Sequence, residues 1–344
     1  MKLIFATLAA TLASALTVKK LTHPDGTQKY AQNGIFMEKN FSRTGSFMAD
    51  FQTALDAGFN RFYVGFYMAN YGCQAGCQEW TNNFSAADRA NVKSLLAQYN
   101  AKLILSIGGP GELWENCIDQ SCGASLGKNV GAFAAQYSFD GIELSVNLQG
   151  QGTIKSPYYQ NGSFNQMCKD IVSNAKVSSS NAFSRKNFYI SAGAPYFSDK
   201  YADGVMDNNL VQLCLDTNES QNYSVGYCNL VMFDEDSNYM TYQDMFIENG
   251  YIDPIFGTFG LGSAVKEIMA LGVTSGKIGI VKPTSPNEPT VRSGYINPTT
   301  LGAWGCQANS DLGWTGGFIA WTWNDVVEAE WNAVNNFIDQ TSYC

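Results

Sequence analysis

An alternation of apolar and polar residues over positions 142–147, within the strand-like stretch 139–147, is the clearest hydrophobic pattern in the chain. Its two-residue period is that of a β-strand, in which successive side chains point to opposite faces. The apolar face suits packing beneath helices. The other face groups a carboxylate, a hydroxyl and an amide, which are those of Glu143, Ser145 and Asn147. This line of polar groups is the candidate functional site of the chain.

Strand patterns and helix patterns follow one another along the rest of the sequence. We predict strands at 30–37, 59–67, 101–107, 139–147, 188–194, 227–233, 277–281 and 317–323, and helices at 46–57, 85–99, 128–137, 162–175, 207–214, 260–271 and 325–338. Short apolar strands separated by helices, with one repeat every roughly 35 to 45 residues, indicate a parallel sheet. Eight such units, without a dinucleotide-binding glycine motif after the first strand, favour a single-domain α/β fold, the (β/α)8 TIM barrel, over an open doubly wound sheet.

The N-terminal segment has the features of a secretory signal. It carries one lysine, then an apolar run, then the small-residue sequence Ala13-Ser14-Ala15. We therefore expect residues 1–15 to be a signal peptide and residues 16–344 to form the barrel domain of an extracellular protein. A buried first strand or helix is the alternative for this segment.

Charge and hydropathy exclude several classes of partner. The formal net charge is −9, which disfavours a basic groove for nucleic acid or an anionic membrane. No stretch after the N-terminal segment is long and apolar enough to span a bilayer. Five Asn-x-Ser/Thr acceptors indicate a glycosylated exterior, and these are Asn40, Asn83, Asn161, Asn218 and Asn222.

Nine cysteines fit an oxidising compartment. A zinc site is disfavoured because the spacings are not those of zinc ligands and the only histidine, His23, lies far away; we predict neither metal nor cofactor. The number is odd, so one thiol stays free or pairs with another chain, and Cys168 has no obvious neighbour in the sequence. The two closest pairs are candidates for local disulfides: Cys73 with Cys77, and Cys117 with Cys122.

Several of these segments resemble motifs of glycoside hydrolase family 18, the chitinase family. Residues 105–109 (LSIGG) resemble its third-strand S-x-G-G motif, and residues 139–147 align without a gap on its fourth-strand signature D-G-x-D-x-D-x-E. Residues 316–321 (GGFIAW) are similar to its eighth-strand ending, where the Trp forms the floor of the sugar subsite. Residues 277–283 and 293–298 resemble plant-type, class III members. The resemblance implies the family's barrel and a cleft for β-linked N-acetylglucosamine oligomers.

The departures from the family fall on its chemistry. There, the last Glu of the signature protonates the glycosidic oxygen, and the Asp two residues earlier orients the substrate's acetamido group, which is the nucleophile. Here Asn147 occupies the acid position, Ser145 the assisting Asp and Glu143 the first inward Asp; only Asp140 and Gly141 match. An Asn amide has no acidic proton to give, and the loss of general-acid help costs on the order of 10²–10⁴ in rate.

The resemblance also implies the residues that line the central subsite. They are Gly108, Gly109, Phe233, Asp234 and Trp321. Phe233 replaces a family Tyr whose hydroxyl binds the acetamido carbonyl. Trp321 and Trp323 lie two apart and are expected to share a strand face, so either could instead belong to the core.

Other carboxylates are candidates for a displaced acid. Glu143 could be rescued by a pKa that burial raises, but we favour a structural carboxylate bonded within the barrel. We expect Asp140 to hold Ser106 or backbone N–H groups rather than to take part in chemistry. Solvated loops are expected for the remaining acidic residues, which are the run Asp234-Glu235-Asp236 together with Glu112 and Glu115.

Three functional hypotheses follow. The first is a secreted, catalytically inactive chitinase-like protein that binds N-acetylglucosamine-type glycans in the barrel cleft. The second is an active family 18-type glycosidase with a displaced acid, drawn from Glu143, Asp234, Glu235 or Glu112. The third is a structural extracellular glycoprotein that uses the barrel as a scaffold and self-assembles through an unpaired cysteine or an aromatic surface.

Overall fold

The structure is a computed structural model that describes residues 30–38, 47–109, 111–146, 156–179, 183–198, 209–232, 240–249, 262–286, 294–323 and 328–341. Its strands are β1 (Gly34–Met37), β2 (Arg61–Met68), β3 (Gly72–Cys73), β4 (Lys102–Gly108), β5 (Gly141–Val146), β6 (Phe188–Gly193), β7 (Tyr227–Val231), β8 (Ile278–Pro283) and β9 (Phe318–Trp323). All but β3 pair in parallel, in the order β1-β2-β4-β5-β6-β7-β8-β9, and β9 pairs with β1 to close the barrel. The predicted (β/α)8 barrel is confirmed. The predicted signal peptide lies outside the described residues and stays a prediction.

Helices lie between the strands and around the barrel. They are α1 (Phe47–Ala57), α2 (Ala75–Asn82), α3 (Ala86–Gln98), α4 (Trp114–Asp119), α5 (Gly123–Gln136), α6 (Pro157–Gln160), α7 (Ser163–Ser178), α8 (Val265–Ala270), α9 (Pro298–Leu312) and α10 (Glu328–Thr341). The helix predicted over 207–214 is instead a 3₁₀ turn at Leu210–Leu213. The prediction missed α2, α4, α6 and α9. Among the helices that the structure describes, none has the length and apolar character needed to cross a bilayer.

The strand alternation produces two separate cores. Ile142, Leu144 and Val146 of β5 belong to the large core between the barrel and its helices, as the sequence pattern predicts. A smaller, mainly aromatic cluster fills the barrel interior and consists of Phe36, Tyr63, Phe66, Ile104, Tyr189, Val281, Ile319 and Trp321. The odd and even positions of the strands therefore divide between the outer core and the barrel interior.

Helix α3 shows how local sequence determines an element boundary. The Ser85 side chain accepts a hydrogen bond from the backbone N–H of Asp88 at 3.1 Å, and the Asp88 carboxylate accepts one from the backbone N–H of Ser85 at 3.0 Å. This capping box satisfies N–H groups that a helix start otherwise leaves unpaired. Ser85 is therefore the N-cap of α3.

Helix α9 was missed because its buried face is made of small residues. Gly302 faces the backbone of α10, where a Cβ would overlap the carbonyl oxygen of Gln340, and a Cβ at Gly305 would lie 2.8 Å from the Phe318 ring of β9. Glycines are poor helix formers and give no apolar stripe, so neither propensity nor periodicity indicates this helix. Its close approach to neighbouring backbone becomes visible only in three dimensions.

Three disulfides join described cysteines to one another, and Cys306 is disulfide-bonded as well. The predicted pairs Cys73–Cys77 and Cys117–Cys122 are confirmed. The third joins Cys214 to Cys228, across a separation of 14 residues that gave no local signal. Cys168 is the free thiol, and it is completely buried. Because this sulfur is buried in the folded chain, it is poorly placed to form the predicted covalent link to another chain, and self-assembly stays a prediction.

Candidate functional site

Glu143 lies at the centre of the barrel. Its strand β5 pairs with β4 so that Glu143 stands opposite Ser106, and the Ser106 hydroxyl donates a hydrogen bond to Oε2 of Glu143. The side chain is completely buried, and Oε1 has no hydrogen-bond partner among the described residues. The structure thus places this carboxyl in a bond within the barrel, as expected of a structural residue.

Burial raises the pKa of Glu143 to about 8, because an ionised carboxylate is poorly solvated inside the barrel. The hydroxyls of Ser106 and Ser191 act in the opposite direction and lower the pKa. Ser191 stands close to the carboxyl, although it does not reach hydrogen-bond geometry with Oε1, which remains unpartnered. At neutral pH the folded protein therefore holds Glu143 mainly in its protonated form.

A chain of neutral polar groups crosses the barrel beside Glu143. The Tyr63 hydroxyl donates to Oε1 of Gln32 at 2.8 Å, Nε2 of Gln32 donates to Oδ1 of Asn229 at 2.8 Å, and Nδ2 of Asn229 donates to the Ser191 hydroxyl at 3.1 Å. Because these buried groups satisfy one another, the interior can be polar without a large desolvation cost. This network was not predicted, because its only signal in the sequence is a polar residue at inward positions of apolar strands.

Ser145 lies one inward position closer to the barrel mouth than Glu143. In the sheet it stands opposite Gly108 of β4 and Ser191 of β6, and its side chain is half-buried. Its hydroxyl therefore lies nearer the mouth than the Glu143 carboxyl, and the alignment of Ser145 with the family's assisting carboxylate stays a prediction. Three predicted site residues, Asn147, Phe233 and Asp234, lie outside the described residues, as do Glu235 and Asp236.

Trp321 forms part of an aromatic wall inside the barrel. Its ring centroid lies 4.9 Å from that of Phe36 and 6.2 Å from that of Phe66, whose plane is tilted by 29° from the indole. Trp321 is 5% exposed. Trp323 belongs instead to the outer core, so the expectation that both Trp residues share a face is wrong. The pairing of β9 with β1 shifts its register between Ile35 and Met37, which breaks the alternation.

Gly108 and Gly109 shape the same end of the barrel. Both have positive φ, 98° and 86°, which an L side chain rarely adopts. A Cβ at Gly109 would lie 2.6 Å from the Phe66 ring, and one at Gly108 would overlap the Trp114 ring and the carbonyl oxygen of Ser145. Because neither glycine has a Cβ, Phe66 of the aromatic wall, Trp114 of α4 and the backbone of β5 can all approach the glycine pair closely.

Asp140 and Glu112 hold backbone rather than facing solvent. The Asp140 carboxylate accepts a hydrogen bond from the Leu103 N–H at 2.8 Å and forms an ion pair with Lys93. The predicted bond to a backbone N–H is therefore confirmed. The alternative, a bond to Ser106, is wrong because the Ser106 hydroxyl donates to Glu143. Glu112 is buried and accepts the Ala69 N–H at 2.6 Å. The solvated loop expected for Glu112 is wrong because this bond draws its carboxylate into the contact between two loops.

Burial also raises the pKa of Glu112, and the backbone N–H groups of Ala69 and Leu113 act to lower it. Glu115 lies half-buried in α4 rather than in a loop. Of the four candidates for a displaced acid, the structure describes Glu143 and Glu112. Both are buried and hydrogen-bonded, a poor arrangement for reaching a glycosidic oxygen.

The sequons differ in exposure. Asn83, Asn161 and Asn222 are exposed. Asn218 is half-buried, and its Nδ2 donates to the backbone carbonyl of Gln212 at 3.0 Å. Asn40 lies outside the described residues.

No family model matches the sequence, and no curated protein matches it either. Among solved structures, a glycoside hydrolase family 18 chitinase from Pseudoalteromonas aurantia is similar, with a TM-score of 0.59 and 11% identity over 88% of this chain and 99% of that chain. A family 18 N-acetylglucosaminidase from Paenibacillus barengoltzii has a TM-score of 0.53 and 11% identity over 90% and 99%.

The same fold also occurs in a protein whose described role is not hydrolysis. A xylanase-α-amylase inhibitor protein, solved in complex with trehalose, has a TM-score of 0.52 and 14% identity over 90% of this chain and 96% of that chain. At these identities the likeness concerns the fold alone. The resemblance drawn from the motifs is thereby confirmed at that level: this chain has the (β/α)8 barrel fold of the family 18 chitinases.

Proposed function

We propose that this protein is a secreted, chitinase-like lectin that binds N-acetylglucosamine-type glycans at the mouth of its barrel and does not hydrolyse them. The observation that carries the proposal is the chemistry of β5. Its polar face carries the Ser145 hydroxyl, which aligns in sequence with the assisting carboxylate, and the next inward residue in the sequence is Asn147, which aligns with the acid.

The proposed lack of hydrolysis rests on the supply of a proton to the leaving glycosidic oxygen. Cleavage of a glycosidic bond needs an acid within hydrogen-bond reach of the leaving oxygen. The one carboxyl on the polar face of β5, Glu143, is committed to Ser106 inside the barrel and is completely buried. An amide and a hydroxyl at the two outer positions can hydrogen-bond a sugar, but neither supplies a proton at neutral pH.

The aromatic residues of the barrel interior support the proposed binding of a glycan. Trp321, Phe36 and Phe66 form an aromatic wall at the barrel's C-terminal side, and the glycine pair after β4 allows its close packing. Aromatic rings are suited to stacking on the apolar faces of sugar rings, with little loss of side-chain entropy. The inhibitor that binds trehalose on the same fold supports the view that such a barrel can hold sugars without a hydrolytic role.

Secretion is part of the proposal. It rests on the N-terminal signal pattern, on three disulfides among the described cysteines, and on exposed sequons such as Asn83 and Asn161. Disulfides of this kind persist in oxidising compartments.

The experiment is calorimetric titration of the glycosylated protein with chitin oligomers, run beside a hydrolysis assay on the same oligomers. We expect measurable binding and no turnover above background. Absence of heat at high oligomer concentration would remove the glycan-binding part, whereas substantial hydrolysis would remove the inactive part and favour a displaced acid.

A restoration variant tests the stated cause of inactivity. Ser145→Asp with Asn147→Glu restores both family carboxylates, and we expect turnover to rise by at least about 10²-fold, the scale of general-acid help. The matched control, Ser145→Asn with Asn147→Gln, has nearly the same side-chain shapes but no ionisable group and should stay inactive. Equal activity in the two double variants would show that missing carboxylates are not the cause.

A further inference from the structure

A polar cavity lies outside the barrel, where helices α5 and α7 begin side by side. Its volume is about 630 Å³, within the roughly 300 to 1,000 Å³ that is common for small-molecule sites. Helix α4 and the turns before α5 and α7 complete its wall, and none of the described residues that line it belongs to a barrel strand. The cavity is therefore separate from the proposed glycan site at the barrel mouth.

Hydrogen-bonding side chains line much of this cavity. The Asn165 side chain is 1% exposed, and its Nδ2 donates to the backbone carbonyl of Asn209, whereas its Oδ1 has no hydrogen-bond partner among the described residues. Gln166 and Asp170 also line the cavity, and Nε2 of Gln166 donates to Oδ1 of Asp170 at 2.8 Å. Because a buried acceptor without a partner lowers stability, a ligand that brings O–H or N–H donors into this cavity should stabilise the fold.

The rim of the cavity contains a glycosylation sequon. Asn161 is exposed, lines the cavity and begins the sequence Asn161-Gly162-Ser163. Its Oδ1 accepts a hydrogen bond from the backbone N–H of Ser163 at 2.9 Å, at the start of α7. Its Nδ2, the atom through which an N-linked sugar is attached, has no hydrogen-bond partner among the described residues. The attachment atom is thus free at the edge of a polar cavity.

We propose that this cavity holds the first N-acetylglucosamine unit of an N-linked glycan carried by Asn161. The inference rests on the secretion that is part of the proposed function, since such glycans occur on secreted proteins. The covalent link favours this occupant, because a sugar tethered at the rim has an effective concentration of about millimolar or above. Its hydroxyl and acetamido N–H groups supply the donors that the amide oxygen of Asn165 lacks.

The test uses the protein secreted by a eukaryotic host that attaches only high-mannose glycans, with occupancy of Asn161 determined by mass spectrometry. An endoglycosidase that cleaves between the first two sugars leaves one N-acetylglucosamine on the chain, and a peptide-N-glycosidase removes the whole glycan. We expect the protein trimmed to one sugar to keep the melting temperature of the untreated protein. Complete removal should lower the melting temperature by about 2 to 4 °C.

Asn161→Asp isolates this site from the other sequons. The new carboxylate can still accept the Ser163 N–H but cannot carry a glycan, and a negative charge at the start of α7 favours the helix. We expect this variant to melt about 2 to 4 °C below the glycosylated wild type, at a temperature that no longer depends on which of the two enzymes is applied. Asn83→Gln removes an exposed sequon outside the cavity and should melt within about 1 °C of the wild type.

A sugar held in the cavity should also be shielded from the enzyme in the folded protein. We expect the peptide-N-glycosidase to release the glycan of Asn161 about 10-fold more slowly than that of Asn83, and at an equal rate after denaturation. Gln166→Trp places an indole in the cavity from an exposed position of α7, and it should abolish this difference in rate. Val177→Trp is the matched control, because Val177 is 72% exposed in the last turn of α7 and does not line the cavity. In this control the difference in rate should persist.

Several results would overturn the placement of the sugar in the cavity. They are an unoccupied Asn161, a melting temperature that complete removal leaves unchanged or that trimming to one sugar lowers as far, and equal release rates at Asn161 and Asn83 in the folded protein. None of these bears on titration with chitin oligomers at the barrel mouth, so the lectin function is tested separately. A chain that the host retains without any glycan overturns both this inference and the proposed secretion.

Discussion

The protonated carboxyl at the barrel centre makes stability depend on pH, and Glu143→Gln isolates that dependence. The variant keeps the size of the side chain and an oxygen that can accept the bond from Ser106, but it removes the ionisable group. With a pKa near 8 in the folded chain against an ordinary 4.5, Glu143 stays protonated in the native state while the unfolded chain ionises. Rising pH therefore favours the unfolded state through this residue.

The size of the change in unfolding free energy follows from the difference between the pKa values of Glu143 in the folded and unfolded chains. Below about pH 4.5 Glu143 is protonated in both the folded and the unfolded chain, so the wild type has its full stability from this group. Above about pH 8 Glu143 is ionised in both, and its contribution to the unfolding free energy changes no further. Between pH 5 and pH 8 the loss is about 3 to 4 kcal/mol, at roughly 1.4 kcal/mol for each pKa unit. We therefore expect Glu143→Gln to match the wild type within about 1 kcal/mol at pH 5 and to be more stable by about 3 kcal/mol at pH 8.

The assay is denaturant unfolding with the disulfides intact, extrapolated to water at both pH values for wild type and variant. The informative quantity is the change with pH of the difference between the two proteins, because other titrating groups cancel in it. Glu248→Gln, at an exposed position, serves as the control and should show the same difference from wild type at both pH values. A difference between wild type and Glu143→Gln that does not change with pH would refute the buried, protonated state.

Two further predictions concern packing and cross-links. Gly302→Ala should lower the unfolding free energy by about 1 to 3 kcal/mol, because the added methyl meets the backbone of α10. The control is Thr300→Ala, on the exposed side of α9. Its unfolding free energy should stay within about 0.5 kcal/mol of the wild-type value in the same denaturant titration. Replacement of Cys214 and Cys228 by Ser opens a loop with a sequence separation of 14 and should cost about 3 kcal/mol, measured by the same unfolding. If the denaturant midpoint of either variant equals that of the wild type, the replaced contact does not stabilise the fold as we expect.

The sequence predicts the barrel well because its strands are short and regularly patterned. On β5 the apolar residues from Ile142 to Val146 do enter the outer core and Glu143 does face inward. What it could not predict depends on contacts between distant segments. Glu112 looks like a loop residue until the Ala69 N–H is brought to it, and the glycines of α9 make sense only against α10 and β9. The disulfide at Cys214 likewise spans two elements.

The fourth-strand signature divides by physical role along its length. Asp140 holds the backbone of β4 through its carboxylate, a Cβ at Gly141 would overlap the backbone before β6, and Glu143 takes part in the buried bond with Ser106. These three positions support the fold, and they match the family signature or keep a carboxyl. Ser145 lies closer to the mouth and half-buried, so a change there disturbs no interior hydrogen bond of Glu143. A barrel that gave up hydrolysis would be free to change just such outer positions, and the residues at 145 and 147 are the ones that lack the family's carboxylates. That division of the motif by depth supports the proposed lectin function.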